Sequence, residues 1–192
     1  MKFSELDLCK NYFYHDYYRW DFDERVELIK GKVFVINPVN TIHQRVSACL
    51  SGQLYNYLKY SGIEAFAAPF DVRLQRKSNE KEIYTVVQPD ICVICDPSKI
   101  DEKGCLGALD IVVEILSKGN NKKELKNKYE VYEEAGVTEY WIIHPEEKTF
   151  LKYTLDNAGK YQPSHLLTLG DDVTNPVLSG FVLSLEDMFS EG

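Results

Sequence analysis

Apolar and polar residues change period several times along this chain, and each change predicts an element. After a short helix candidate in the first forty residues, positions 26–36 read as two strands joined by a turn at Lys30-Gly31. From about 41 to 60, apolar residues recur at Val46, Leu50, Leu54, Tyr57 and Leu58, which is helical spacing, and Gly62 supplies a stop. Strands are expected over 65–74 and 84–95. A third, over 109–116, is apolar on both faces apart from its acids, as in the middle of a covered sheet. A helix over 121–135 ends at Gly136. Residues 139–144 and 149–155 then form a strand pair around a turn at 145–148. The tail, 181–189, is a final strand or a short amphipathic helix. The predicted order is α-β-β-α-β-β-β-α-β-β, a mixed α/β (α+β) fold with helices on the faces of a mixed sheet.

The chain has 192 residues, 44% hydrophobic and 27% charged, which favours a single domain spanning 1–192. There is no internal repeat and no Pro/Gly-rich linker. The polar stretches 75–82 and 96–104 read as excursion loops. No apolar run is long enough to cross a bilayer, and the first residues lack a secretory apolar core, so no membrane association and a cytoplasmic location are expected. The 22 Lys and Arg against 30 Asp and Glu leave a net charge of −8, which argues against binding nucleic acid with the whole surface but allows a local basic patch. Five cysteines, an odd number without framework spacing, suit a reducing compartment. Cys92 and Cys95 match C-x-x-C, but within a strand they point to opposite faces and read as core residues.

Two acids stand where acids are costly. Glu114 shares a strand face with Val112 and Leu116, and Asp90, after Pro89, shares one with Cys92 and Ile94. A buried carboxylate requires a cation or hydrogen bonds. Asp110, at the start of its strand, reads instead as an acid in water. On the following helix, at about 100° per residue, Lys128 falls inside the apolar arc of Leu125, Tyr129, Val131, Tyr132 and Ala135, with Glu124 beside it. That placement is either functional, a snorkelling stem, or an i,i+4 pair with Glu124. Two acids on strands and an inward lysine suit a hard-cation site, Mg²⁺ or Mn²⁺ rather than zinc. The histidines, His15, His43, His144 and His165, have no zinc-hydrolase spacing. Phosphate-loop, dinucleotide and serine-hydrolase motifs are absent from the sequence.

The segments Gln88-Pro89-Asp90, Asp110 to Ser117, Lys128-Tyr129-Glu130-Val131-Tyr132 and Gly136 to Ile143 resemble the Uma-two family, restriction-endonuclease-like proteins of the PD-(D/E)XK nuclease superfamily. Residues 26–31 and His43 fit that family's opening, and the resemblance covers about 20–155. It implies a restriction-endonuclease-like core, a central mixed sheet flanked by helices, with Asp90 and Glu114 as metal-holding acids and Glu27 completing the site. Leu116 stands where the superfamily lysine belongs; the family places that lysine on the next helix, where Lys128 fits. The expected function is a Mg²⁺- or Mn²⁺-dependent endonuclease cutting DNA. Asp90, Glu114 and the backbone carbonyl near Ile115 would hold metal, Lys128 would orient water, and Lys118, Lys122, Lys123, Arg73 and Arg76 are candidate phosphate contacts. The alternatives are a non-catalytic binding or regulatory protein of nuclease fold and a small-phosphoester hydrolase. A homodimer is expected from the behaviour of nuclease folds. The aromatic run from Asn11 to Trp20 reads as a base-stacking platform, a dimer surface or a helix packed on the core.

Overall fold

The computed structural model describes residues 3–74, 83–117 and 122–190, with the side chains of 122–124 left out. A 3-10 turn (Phe3–Glu5) and one helical turn, α1 (Tyr14–Tyr17), lead into β1 (Val26–Ile29) and β2 (Lys32–Val35). There follow α2 (Thr41–Leu58), β3 (Glu64–Ala67), β4 (Val72–Arg73), β5 (Val86–Val87), β6 (Ile91–Ile94), β7 (Ile100–Asp101), β8 (Gly104–Leu106) and β9 (Ile111–Ile115). The chain continues through α3 (Lys122–Ala135), β10 (Glu139–His144), β11 (Thr149–Leu155), β12 (Tyr161–Pro163), β13 (Leu167–Thr168), β14 (Asp172–Thr174), β15 (Val182–Ser184) and α4 (Leu185–Phe189).

Two mixed sheets carry the architecture. One runs β2-β1-β5-β4-β8-β7; the other runs β12-β11-β10-β9-β6-β3, with β13 also on β11. In the second, β9 and β10 are parallel, and α3 is the crossover between them. α2 and α4 bury Val46, Leu50, Leu54, Leu185 and Met188 against one face of that sheet, which offers Ile91, Val93, Ile111, Val113, Trp141 and Ile143. The other face, with Cys92, Ile94, Val112 and Tyr140, packs against Val131 and Tyr132 of α3 and against Ile29, Val72, Val87 and Cys105 of the first sheet. Each strand of the middle is therefore covered on both sides, as its unbroken apolar pattern requires.

Local chemistry sets the boundaries. Lys30 and Gly31 both have positive φ, 48° and 78°, as the two-residue turn of a right-twisted hairpin demands. Asn40 caps α2 by accepting from the His43 N–H at 2.9 Å. Gly136, at φ 85°, ends α3.

Three expectations need correction. The strands expected over 65–74 and 84–95 each split in two, because Pro69 and Pro89 have no N–H to continue a ladder. At each proline the chain passes between sheets: β3 and β6 belong to the second, β4 and β5 to the first. The stretch 96–104 is not merely a loop, since Ile100–Asp101 pairs antiparallel with β8. The tail is a strand and a helix in succession, β15 then α4. The stretch 75–82 lies outside the described residues.

The aromatic run packs chiefly inward. Tyr12 and Tyr14 are buried in a third cluster with Leu6, Leu28, Ile83 and Val86, and Trp20 meets the Tyr12 ring edge-on at 5.2 Å. Phe13 and Tyr18 alone of its aromatic rings are exposed large hydrophobics. Cys92 is buried in β6, Cys95 is half-buried just beyond it, and both are free. Burial pushes their thiols up to about 12 and about 11.

Candidate active site

The covered sheets bring two acids and one amine into direct contact, with a third acid close by. Glu27 sits on β1, all four of whose residues are buried, and Glu114 sits on β9, buried likewise. Lys128 projects from the face of α3 that also buries Val131 and Tyr132, one helical turn apart. Its ammonium lies 3.0 Å from both Glu114 carboxylate oxygens and 3.1 Å from Glu27 Oε1. Tyr132 adds a phenol that donates to Glu114 Oε1 at 2.6 Å. Glu27 Oε1 also accepts the main-chain N–H of Gln88 at 2.8 Å.

Asp90 lies at the entrance to β6. Its Oδ2 accepts the Ile115 N–H at 2.7 Å, and its Oδ1 is 3.1 Å from His43 Nε2 on α2. Ile115 thus meets the site through its amide N–H. His43, Asp90, Glu114, Lys128, Ile36 and Val39 line a narrow cleft of about 50 Å³. A water needs roughly 10–15 Å³ on that scale, so the cleft admits a few waters and no nucleoside. A larger apolar cavity, about 400 Å³, is bordered by Tyr129, Ile142 and Tyr153, and none of the three acids or Lys128 lines it.

The electrostatics follow from burial. Loss of water pushes the Glu114 carboxyl up to about 8; the Lys128 charge opposes the rise, and Asp90 and Glu27 add to it. Burial works against the Lys128 charge too, but Glu114 and Glu27 outweigh it and hold the amine above its ordinary value. Burial, then the Glu114 charge, pushes Tyr132 well above the ordinary phenol, so it stays a donor. Glu27, Asp90 and Glu114 set three carboxyl groups near one ammonium, and their donors are oxygens. That set fits a hard divalent cation. Among the described residues, no three His, Cys, Asp or Glu side chains are already gathered as a metal-holding group.

The expected residues therefore divide. Glu27, Glu114 and Lys128 meet directly, and Asp90 joins them through Ile115. Arg73 does not serve as a phosphate contact: it is fully buried and donates to Asp101 Oδ1 at 2.6 Å and to the Cys105 carbonyl. Asp110 is half-buried rather than in water, and accepts the Cys95 N–H at 2.7 Å. Lys118 and Arg76 lie outside the described residues, as do the side chains of Lys122, Lys123 and Glu124.

Two contributors escaped sequence reasoning, Tyr132 and His43. Both carried a signal: Tyr132 follows Lys128 by four residues, and His43 stands at the head of the buried stripe of Val46, Leu50 and Leu54.

The sequence model of the Uma2 family, described as putative restriction endonuclease, matches residues 14–186. The chain belongs to the Uma2 family. Glu27, Asp90, Glu114 and Lys128 all fall within that Uma2 match. The fold is similar to that of a crystal structure of a putative nuclease belonging to DUF820 from Anabaena variabilis, at 20% identity and a TM-score of 0.76, over 93% of this chain and 97% of that one. The mixed sheet with α3 crossing from β9 to β10 is accordingly a restriction-endonuclease-like core. No curated protein matches the chain. Among the described residues, no helix is long and apolar enough to cross a membrane.

Proposed function

We propose that this Uma2 member is a Mg²⁺- or Mn²⁺-dependent endonuclease that hydrolyses DNA phosphodiester bonds, with 1–192 as one catalytic domain. Family membership supports a nuclease. The observation that carries the finer reading is the buried Lys128 held between Glu114 and Glu27, beside Asp90, at the floor of a small cleft. Asp90 and Glu114, with the Ile115 carbonyl, would hold the cation. When bound, it supplies Lewis-acid polarisation of the phosphodiester and a water of lowered pKa.

The side chains do the rest. Lys128 stays protonated and offsets charge building on the phosphoryl oxygens. Tyr132 fixes the Glu114 carboxylate through the 2.6 Å bond, and the Ile115 N–H and His43 fix Asp90. Glu27 orients the amine from the opposite sheet.

A second reading, a non-catalytic binding or regulatory protein, has one observation in its favour: protein donors already reach all three acids. Nicking of supercoiled plasmid DNA separates the two. Wild-type protein is expected to nick in Mg²⁺ or Mn²⁺ and stop on chelation, with Glu114→Gln at least about 100-fold slower. A folded wild-type protein inert towards DNA with either ion would overturn the endonuclease reading.

A further inference from the structure

The chain crosses between its two sheets at residues 68–71 and again at 88–90, and these crossings hold each other. The Ala68 N–H donates to the Asp90 carbonyl at 2.9 Å, and Gln88 Nε2 donates to Asp71 Oδ1 at 2.8 Å. The Gln88 side chain is saturated on every side. Its amide nitrogen also lies 3.1 Å from the Tyr17 hydroxyl, which itself donates to Asp71 Oδ1 at 2.9 Å. Its amide oxygen accepts from Arg25 Nε at 3.2 Å and from an Arg25 terminal nitrogen at 2.7 Å. Three separate parts of the chain, α1, the first crossing and the residue before β1, thus grip one glutamine.

That glutamine's own main-chain N–H is the one that meets Glu27 Oε1, and two residues later the chain supplies Asp90. Glu27 belongs to the first sheet, whereas Glu114 belongs to the second and Asp90 stands just before its strand β6. The spacing of Glu27 from the rest of the site therefore depends on how the second crossing is seated. We propose that Gln88 is a positioning residue: clamped by Tyr17, Asp71 and Arg25, it seats the crossing so that the residue-88 amide holds Glu27 against Lys128. The clamp also gives the aromatic N-terminal segment a task, through Tyr17, beyond filling the core. A site residue located by a hydrogen bond from a neighbouring group loses about 10–100-fold in activity when that support is removed.

The test has two arms. Hydrogen exchange read residue by residue is expected to show the residue-88 amide protected in the wild type. In Gln88→Ala that protection falls at least about tenfold, while the amides of β1 and β5 keep theirs. Arg25→Met, at an exposed position, produces a smaller fall in the same direction and serves if Gln88→Ala does not fold. The kinetic arm rests on the proposed nuclease reading: Gln88→Ala lowers kcat about tenfold with KM within about twofold, and adds nothing in a Glu27→Gln background, because it acts through Glu27. Unchanged protection at residue 88 in both variants overturns the proposal whether or not the protein cuts DNA. A kcat loss that multiplies with Glu27→Gln overturns it as well. An inert wild type whose residue-88 amide still responds refutes the nuclease reading and leaves the positioning role standing.

Discussion

Glu114 and Glu139 stand on adjacent parallel strands of one sheet, and both are buried, yet they belong to different kinds of place. Glu139 pairs in register with Ile111 and looks towards the α2 side, where Trp141 Nε1 donates to it at 2.8 Å and Lys152 stands 3.7 Å away. Glu114 looks towards α3, where an ammonium, a phenol and two further acids gather beside a cleft. Burial alone therefore does not mark chemistry. An indole and one distant amine accommodate a lone acid; beside Glu114, two further acids crowd a single amine and their oxygens suit a hard cation.

The comparison is tested most severely at Lys128. Lys128→Ala leaves Glu114 and Glu27 buried without their counter-charge, and should cost about 3–5 kcal/mol in urea unfolding together with all DNA nicking. Loss of nicking with stability intact would mean the amine is not structurally coupled to the acids. Tyr132→Phe keeps the ring and removes one bond to a charged group, so a loss of about 1.5–3 kcal/mol is expected by the same measurement.

At Glu139 a smaller effect of opposite sign is expected. Burial raises its pKa, against the pull of Trp141 and Lys152. The folded protein then holds that proton more tightly than the unfolded chain does. The stability linked to Glu139 is intact below the unfolded carboxyl's pKa of about 4.3 and is lost as pH rises through the higher folded value. Glu139→Gln should accordingly be more stable than wild type at pH 8, with the advantage shrinking towards pH 4 and nicking unaffected. A variant less stable than wild type at pH 8 would show that Lys152 makes the charged form welcome.

The same pair of acids shows what a sequence discloses. Asp90, Glu114 and Lys128 were legible because each interrupts an apolar pattern whose period fixes which way it points. The central elements were legible for the same reason: residues 139–144 and 149–155 form strands at those positions. Glu139 interrupts a pattern too, but at the first residue of its strand, where an acid in water reads identically. Arg73 gave no warning, because the partner that permits its burial, Asp101, arrives 28 residues later. The division into two sheets was illegible as well. Pro69 and Pro89 announce breaks in a ladder, but which sheet receives the chain afterwards is a matter of long-range pairing. Gln88 fell inside the strand expected over 84–95, and nothing in that pattern announces its contacts with Arg25, Tyr17 and Asp71, which come from distant parts of the chain.

The central claim is that these acids converge on a site for a hard cation, and anomalous diffraction from crystals soaked in Mn²⁺ tests it most directly. A Mn²⁺ peak in contact with Asp90 and Glu114, absent from crystals of Asp90→Asn, is the predicted result. No peak at saturating Mn²⁺, with Lys128 still seated between Glu114 and Glu27, would contradict it.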